Sequence, residues 1–145
     1  MTWRKLTTAP LSNKQVEACW HLAQESLEGT TQLKIVAKGS WIFTGSVLPA
    51  CSPDGLTGFA LSGVSTIIAG CPFGALIGKL GGSTASHHVP AEPSIAIAAQ
   101  VPFAVGSFCI LELPQGLHGP LYLGFNIVRR PVFVESLEAE IFCTP

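Results

Sequence analysis

Gln32-Leu33-Lys34-Ile35-Val36-Ala37-Lys38-Gly39-Ser40-Trp41-Ile42-Phe43 is the stretch on which the fold is decided. Leu33, Ile35 and Ala37 alternate with Gln32, Lys34 and Val36, the period of a strand with one face on a core. Gly39 is expected to break this run before a second short strand, Trp41 to Thr44. Towards the C-terminus the chain continues as short apolar runs between turn residues. The strand candidates are Thr66 to Ala69, Ala75 to Leu80, Ile95 to Gln100, Ser107 to Leu113, Leu121 to Val128 and Ser136 to Phe142. Ser52-Pro53-Asp54-Gly55, Gly81-Gly82-Ser83, Pro90, Pro93, Pro102 and Pro114-Gln115-Gly116 to Gly119-Pro120 separate them as turns. Many short strands without intervening helices predict an all-β sandwich or barrel.

Towards the N-terminus the grammar changes. Ser12 is placed as an N-cap with Gln15 as its capping-box partner, and Leu11 and Val16 are spaced as a hydrophobic staple. Val16, Cys19, Trp20, Ala23 and Leu27 follow at helical spacing, and Gly29 offers a left-handed stop. Leu11 to Gly29 is therefore predicted as a short N-terminal helix, with residues 1–30 forming an extension of a single domain, 1–145, whose sandwich spans 33–142.

The 145-residue chain is 48% hydrophobic but only 12% charged, about half the usual charged share, and its net charge is -1. So small a charge gives no pull towards nucleic acid. Between Gly55 and Val128 only Lys79, Glu92 and Glu112 are charged, so the middle is a core, an oligomer interface or a membrane segment. Gly55 to Gly78 is long enough to span a bilayer, but its glycines and Pro72 suit strands and turns, and no membrane span is expected. The first residues show no secretory signal, which predicts a cytoplasmic protein. Cys19, Cys51, Cys71, Cys109 and Cys143 form no C-x-x-C pair and read as small buried hydrophobes rather than as disulfides or a zinc site.

Three segments, taken in order, resemble the bacterial galactose-binding lectins of the PA-I (LecA) type. They are Leu33 to Trp41, then Gly74-Ala75-Leu76-Ile77-Gly78-Lys79-Leu80-Gly81, then Phe103-Ala104-Val105-Gly106-Ser107 with Gly119-Pro120-Leu121-Tyr122-Leu123-Gly124-Phe125-Asn126. The resemblance covers about Leu33 to Ile141 and implies a jelly-roll-like β-sandwich of the galactose-binding-domain type. The N-terminal helix departs from the family, which begins with strands. So does the calcium loop. Aligned without gaps, the family's Asp falls on Ile127, its Thr on Pro131 and its paired Asn residues on Val134 and Glu135. Calcium needs a crowd of oxygens that these residues do not supply, and Arg129 and Arg130 would repel the ion, so no calcium site and no cofactor are expected.

The polar residues left at that loop end make the candidate ligand site: Phe43, Asp54, Asn126, Arg129, Arg130 and Glu135, with Trp41 as a platform on which a sugar ring can stack. The arginine forks suit a carboxylate, phosphate or sulfated sugar; their plain reading is solvated loop charge beside Glu135 and Glu138. Trp41 has its own plain reading as a core residue. His87-His88 reads as a loop rather than half of a metal site, because neighbours on an extended strand face opposite ways. No G-x-S-x-G or G-x-G-x-x-G motif points to catalysis, and an enzyme is not expected. Two functions stand level. One is a calcium-independent, lectin-like module binding a carbohydrate or another small polar ligand. The other is a structural or protein-interaction subunit of a homo-oligomer without sugar binding, motivated by the charge-poor middle.

Overall fold

Leu33, Ile35 and Ala37 are buried, whereas Lys34, Val36 and Lys38 between them are not, so the alternation does place one face of this strand on a core. The computed structural model describes residues 2–11, 14–16, 20–43, 50–56, 66–81, 102–113, 119–127 and 132–145. Its elements are β1 (Arg4–Pro10), β2 (Lys14–Val16), β3 (His21–Gln24), β4 (Gln32–Phe43), β5 (Leu76–Leu80), β6 (Phe103–Ala104), β7 (Phe108–Glu112), β8 (Leu121–Phe125) and β9 (Val132–Thr144). They form two antiparallel sheets. The first runs β1-β9-β4-β7, with β2 also on β9, and the second runs β3-β8-β5-β6.

The architecture is all-β and sandwich-like, because one apolar cluster is shared by both sheets. Leu33, Ile35 and Trp41 of β4 and Leu137, Ala139 and Ile141 of β9 meet Leu76 and Leu80 of β5 and Leu121, Leu123 and Phe125 of β8. The second sheet also buries its other face, where Ile77, Tyr122 and Trp20 cluster with Ile67 and Ile68 against them. Every residue of β5 and β8 is consequently buried. A strand covered on both faces reads as a continuous apolar run, and this explains the charge-poor middle of the sequence. The charges gather on the outer face of the first sheet, where Lys5 pairs with Glu140 at 2.8 Å and Lys38 with Glu138 at 3.3 Å.

Lys79 is the exception. It lies 2% exposed on the doubly covered sheet, its Nζ 5.0 Å from the Trp20 ring centroid and 5.4 Å from that of Tyr122. Burial lowers its ammonium to about 8.

Several sequence expectations are corrected. No helix occurs among the described residues; within the segment predicted as helical, Lys14–Val16 pairs with β9 and His21–Gln24 with β8. The supposed stripe is divided between clusters: Trp20 joins the outer cluster of the second sheet, while Ala23 and Leu27 pack on the shared core. Helical spacing there reflects two burial sites rather than one face. Gly39, with φ 116°, does not end the strand, and β4 runs on to Phe43. A bulge follows it, since Ser40 pairs with Ser136 but Trp41 with Val134, leaving Glu135 as the extra residue of β9. Thr66 to Ala69 forms no strand. Ile95 to Gln100 lies outside the described residues. No helix is long and apolar enough to cross a membrane among those described.

Candidate functional site

The end of the sandwich expected to carry the ligand is built where β4 and β8 finish and β5 and β9 begin. Gly74 has φ 72°, and a Cβ there would lie 2.0 Å from the Trp41 ring. Only glycine lets the chain pass that ring into β5. Trp41 itself is 1% exposed, with its centroid 5.7 Å from that of Phe125 at an interplanar angle of 58°. It is a core residue and presents no face on which a sugar could stack.

Asn126 follows β8 directly and is fully buried. Its Oδ1 accepts from the Ile68 amide at 2.7 Å, and its Nδ2 donates to the carbonyls of Ile68 (3.1 Å), Cys71 (3.2 Å) and Pro72 (3.1 Å). Its backbone closes the same junction, accepting from Gly74 N at 3.2 Å and donating to Ala75 O at 2.9 Å. The side-chain amide thus stands in for the ladder that the part-buried segment from Ile68 to Pro72 lacks. Both of its amide protons and one lone pair of its oxygen are used within the protein.

Asp54 is exposed, but its carboxylate accepts from the Ser107 amide at 2.8 Å and from the Ser107 hydroxyl at 3.1 Å. It clips the Gly106-Ser107 turn that leads into β7. Gly106 has φ 64°, and a Cβ there would meet the Asp54 carboxylate at 2.9 Å. Phe43 pairs with Val132 through its backbone, and Glu135 occupies the β9 bulge. Arg129 and Arg130 lie outside the described residues, as do His87 and His88. Trp41, Asn126 and Phe125 are thus brought together, but as the structural closure of this end.

Two features elsewhere are open to a partner. A cleft of about 310 Å³ runs between the edge strands β1 and β3, lined by Thr8 to Leu11, His21 to Ala23, and Leu123. Leu22 at its rim is 47% exposed. The second feature is the outer face of the first sheet, where Phe108 and Ile110 of β7 are 59% and 51% exposed. Beside them Lys34 rests its ammonium 4.5 Å from the Phe142 ring centroid and 4.9 Å from that of Trp3. The sequence reading passed over Phe108 and Ile110, because Phe108-Cys109-Ile110-Leu111 is apolar at every position and carries no alternation to mark its outward side. It passed over His21 and Leu22 because they fell inside the predicted helix.

Among the described cysteines, Cys51, Cys71, Cys109 and Cys143 are free thiols. Burial pushes the Cys51 thiol up to about 11 and also raises that of Cys109, the reverse of what activates a nucleophilic cysteine. No group of three or more His, Cys, Asp or Glu is placed to hold a metal among the described residues. Compared with known proteins, the chain matches no protein-family model and shows no significant match to a curated protein.

Proposed function

We propose that the chain is a structural or protein-interaction subunit that assembles through the outer face of its first sheet. The observation that carries this reading is the exposure of Phe108 and Ile110, neighbouring outward residues of one strand, beside Val36 and Phe142. An exposed apolar pair on a face that elsewhere carries ion pairs suits a surface that a partner covers. The internal commitments of Trp41, Asn126 and Asp54 support it by leaving those side chains little to offer a ligand. Light scattering over a wide concentration range tests the reading, with Phe108→Ser as the comparator. A mass that stays at one chain throughout, with no other protein retained by the wild type and released by the variant, would refute it.

The cleft between β1 and β3 favours a second reading: a jelly-roll-like, calcium-independent module that binds a carbohydrate or small polar ligand. Its volume sits at the small end of ligand sites, and Thr8 and His21 are polar residues of its lining. A panel of monosaccharides and sulfated sugars, followed by amide shifts, tests it. Shifts confined to the cleft support binding there; no shift at millimolar sugar removes the reading.

A further inference from the structure

We infer that the partner of β7 is a second copy of this chain, added edge to edge and antiparallel about a two-fold axis at Ile110. The inference rests on the assembly reading above, names its occupant and moves the contact from the outer face of β7 to its edge.

An open strand edge invites pairing, and native proteins blunt such edges with bulges, prolines, charges or brevity. Among the described residues the other sheet edges carry these devices, and β2, of three residues, is brief. β1 includes Arg4, Lys5 and Pro10 and has a register shift between Lys5 and Thr7; β3 has one between Leu22 and Gln24; β6 has only two residues. β7 has none. Its register against β4 is unbroken from Phe108 to Glu112, it contains no proline or basic residue, and its single charge, Glu112, lies at the end.

The hydrogen-bond parity of β7 shows which groups are on offer. The Ser107 carbonyl accepts from Ala37 N at 2.9 Å, and the Leu113 amide donates to Thr31 O at 2.9 Å. Residues exchanging bonds across an antiparallel ladder recur every second position, so Cys109 and Leu111 also turn their backbone groups to β4. The N–H and C=O of Phe108, Ile110 and Glu112 therefore point away from the sheet. A second copy centred on Ile110 meets these groups in kind. Ile110 exchanges bonds with Ile110 of the other copy and Phe108 with Glu112 in both directions, about six bonds in all. On the outer face Ile110 then lies against its own copy, and the ring of Phe108 covers the stem of Glu112. Centring the axis on Cys109 instead leaves the outward groups of Glu112 beyond the partner strand, opposite Gly106.

A five-residue strand is about a quarter of what one side of a standard interface uses, so the dimer is expected to form in the micromolar to millimolar range. The test is amide exchange by NMR on the full chain at low and high concentration, with light scattering on the same samples. The expected result is a rise in mass with protection gained at Phe108, Ile110 and Glu112, and little change at Cys109 and Leu111, which β4 already protects. Ile110→Pro provides the second arm. It removes an outward N–H together with the exposed Ile110 side chain and should leave a folded monomer at concentrations where the wild type is paired. If the variant does not fold, the alternating protection pattern decides alone. Oligomers that form without protection at these three amides would overturn edge pairing while leaving face-mediated assembly standing. A chain that stays monomeric at millimolar concentration would overturn the inference, and the assembly reading would then depend on a different protein partner.

Discussion

Replacing Asn126 by alanine isolates the role of the best-satisfied polar side chain in the described structure. Four contacts of 2.7–3.2 Å link its amide to Ile68, Cys71 and Pro72. The two protons on Nδ2 are shared among three carbonyls, so these contacts count as about three full bonds, each worth roughly 0.5–1.5 kcal/mol net. Truncation also deprives the part-buried Ile68 amide and Cys71 carbonyl of their side-chain partner, while the Ile68 and Pro72 carbonyls keep the Cys71 and Ala75 amides, and this puts the expected loss at about 3–5 kcal/mol. At about 2–4 °C per kcal/mol for a domain of this size, the melting temperature should fall by roughly 6–20 °C. Urea unfolding monitored by tryptophan fluorescence measures the loss directly. Asn126→Asp sharpens the test, because an ionised carboxylate keeps the bond from the Ile68 amide but sets its other oxygen against three carbonyls. That variant should be at least as unstable as the alanine one at neutral pH and should recover as acid protonates the new carboxyl. A loss below about 1 kcal/mol for Asn126→Ala would refute the pinning role. Should sugar binding exist and vanish in that variant at unchanged stability, Asn126 would return to the ligand site.

Gly74→Ala is expected to cost more than about 3 kcal/mol or to prevent folding, since the new methyl would sit 2.0 Å from the Trp41 ring. Gly29→Ala, at φ 79° with nothing within 4 Å, should cost only about 1–2 kcal/mol in the same chemical denaturation. Similar losses for the pair would mean that backbone strain, not the ring, explains Gly74. For Lys79, a folded value of about 8 against 10.5 for the free side chain means that the unfolded chain binds more protons between those pH values. The stability it contributes is therefore complete above about pH 10.5 and lost as the pH falls through about 8. The stability of Lys79→Met relative to wild type should thus be greater at pH 7 than at about pH 10.5, by about 1–3 kcal/mol. Paired urea titrations at neutral and alkaline pH check the sign, and an advantage that grows with pH would contradict it.

What the sequence made legible follows from how many faces each strand buries. β4 has one wet face, so Lys34 and Lys38 punctuate Leu33, Ile35 and Ala37, and its start can be read directly. β5 and β8 bury both faces, yet flanking turn residues still marked them as strands. The N-terminal segment was misread because Trp20 and Leu27 are buried in different clusters, a distinction that spacing along the chain does not carry. The same blindness affected the candidate site. Asn126 and Trp41 were singled out as polar or aromatic residues near a loop, which is also where a sandwich needs an amide to pin irregular backbone and a large ring to seal its end. Residue type signals that a position has a special task; it does not say whether the task faces inward or outward.

β7 presents the converse problem. In Phe108-Cys109-Ile110-Leu111 both faces are apolar in sequence, as in β8, but β8 is covered on both sides and β7 on one. The two strands are distinguished only by their positions in the sheets, central for β8 and edge for β7. An edge strand with a central strand's composition is a local conflict with the fold of an isolated monomer. Natural sequences accumulate such conflicts where a further structure resolves them, and the proposed second copy would do so by turning the edge of β7 into the middle of a larger sheet. Extending the sheet would satisfy the outward amides and carbonyls and give Phe108 and Ile110 partial lateral cover on the outer face. A ligand on the face of the sheet would leave the backbone edge open, so apolar cover and hydrogen-bond parity together favour a strand as the partner.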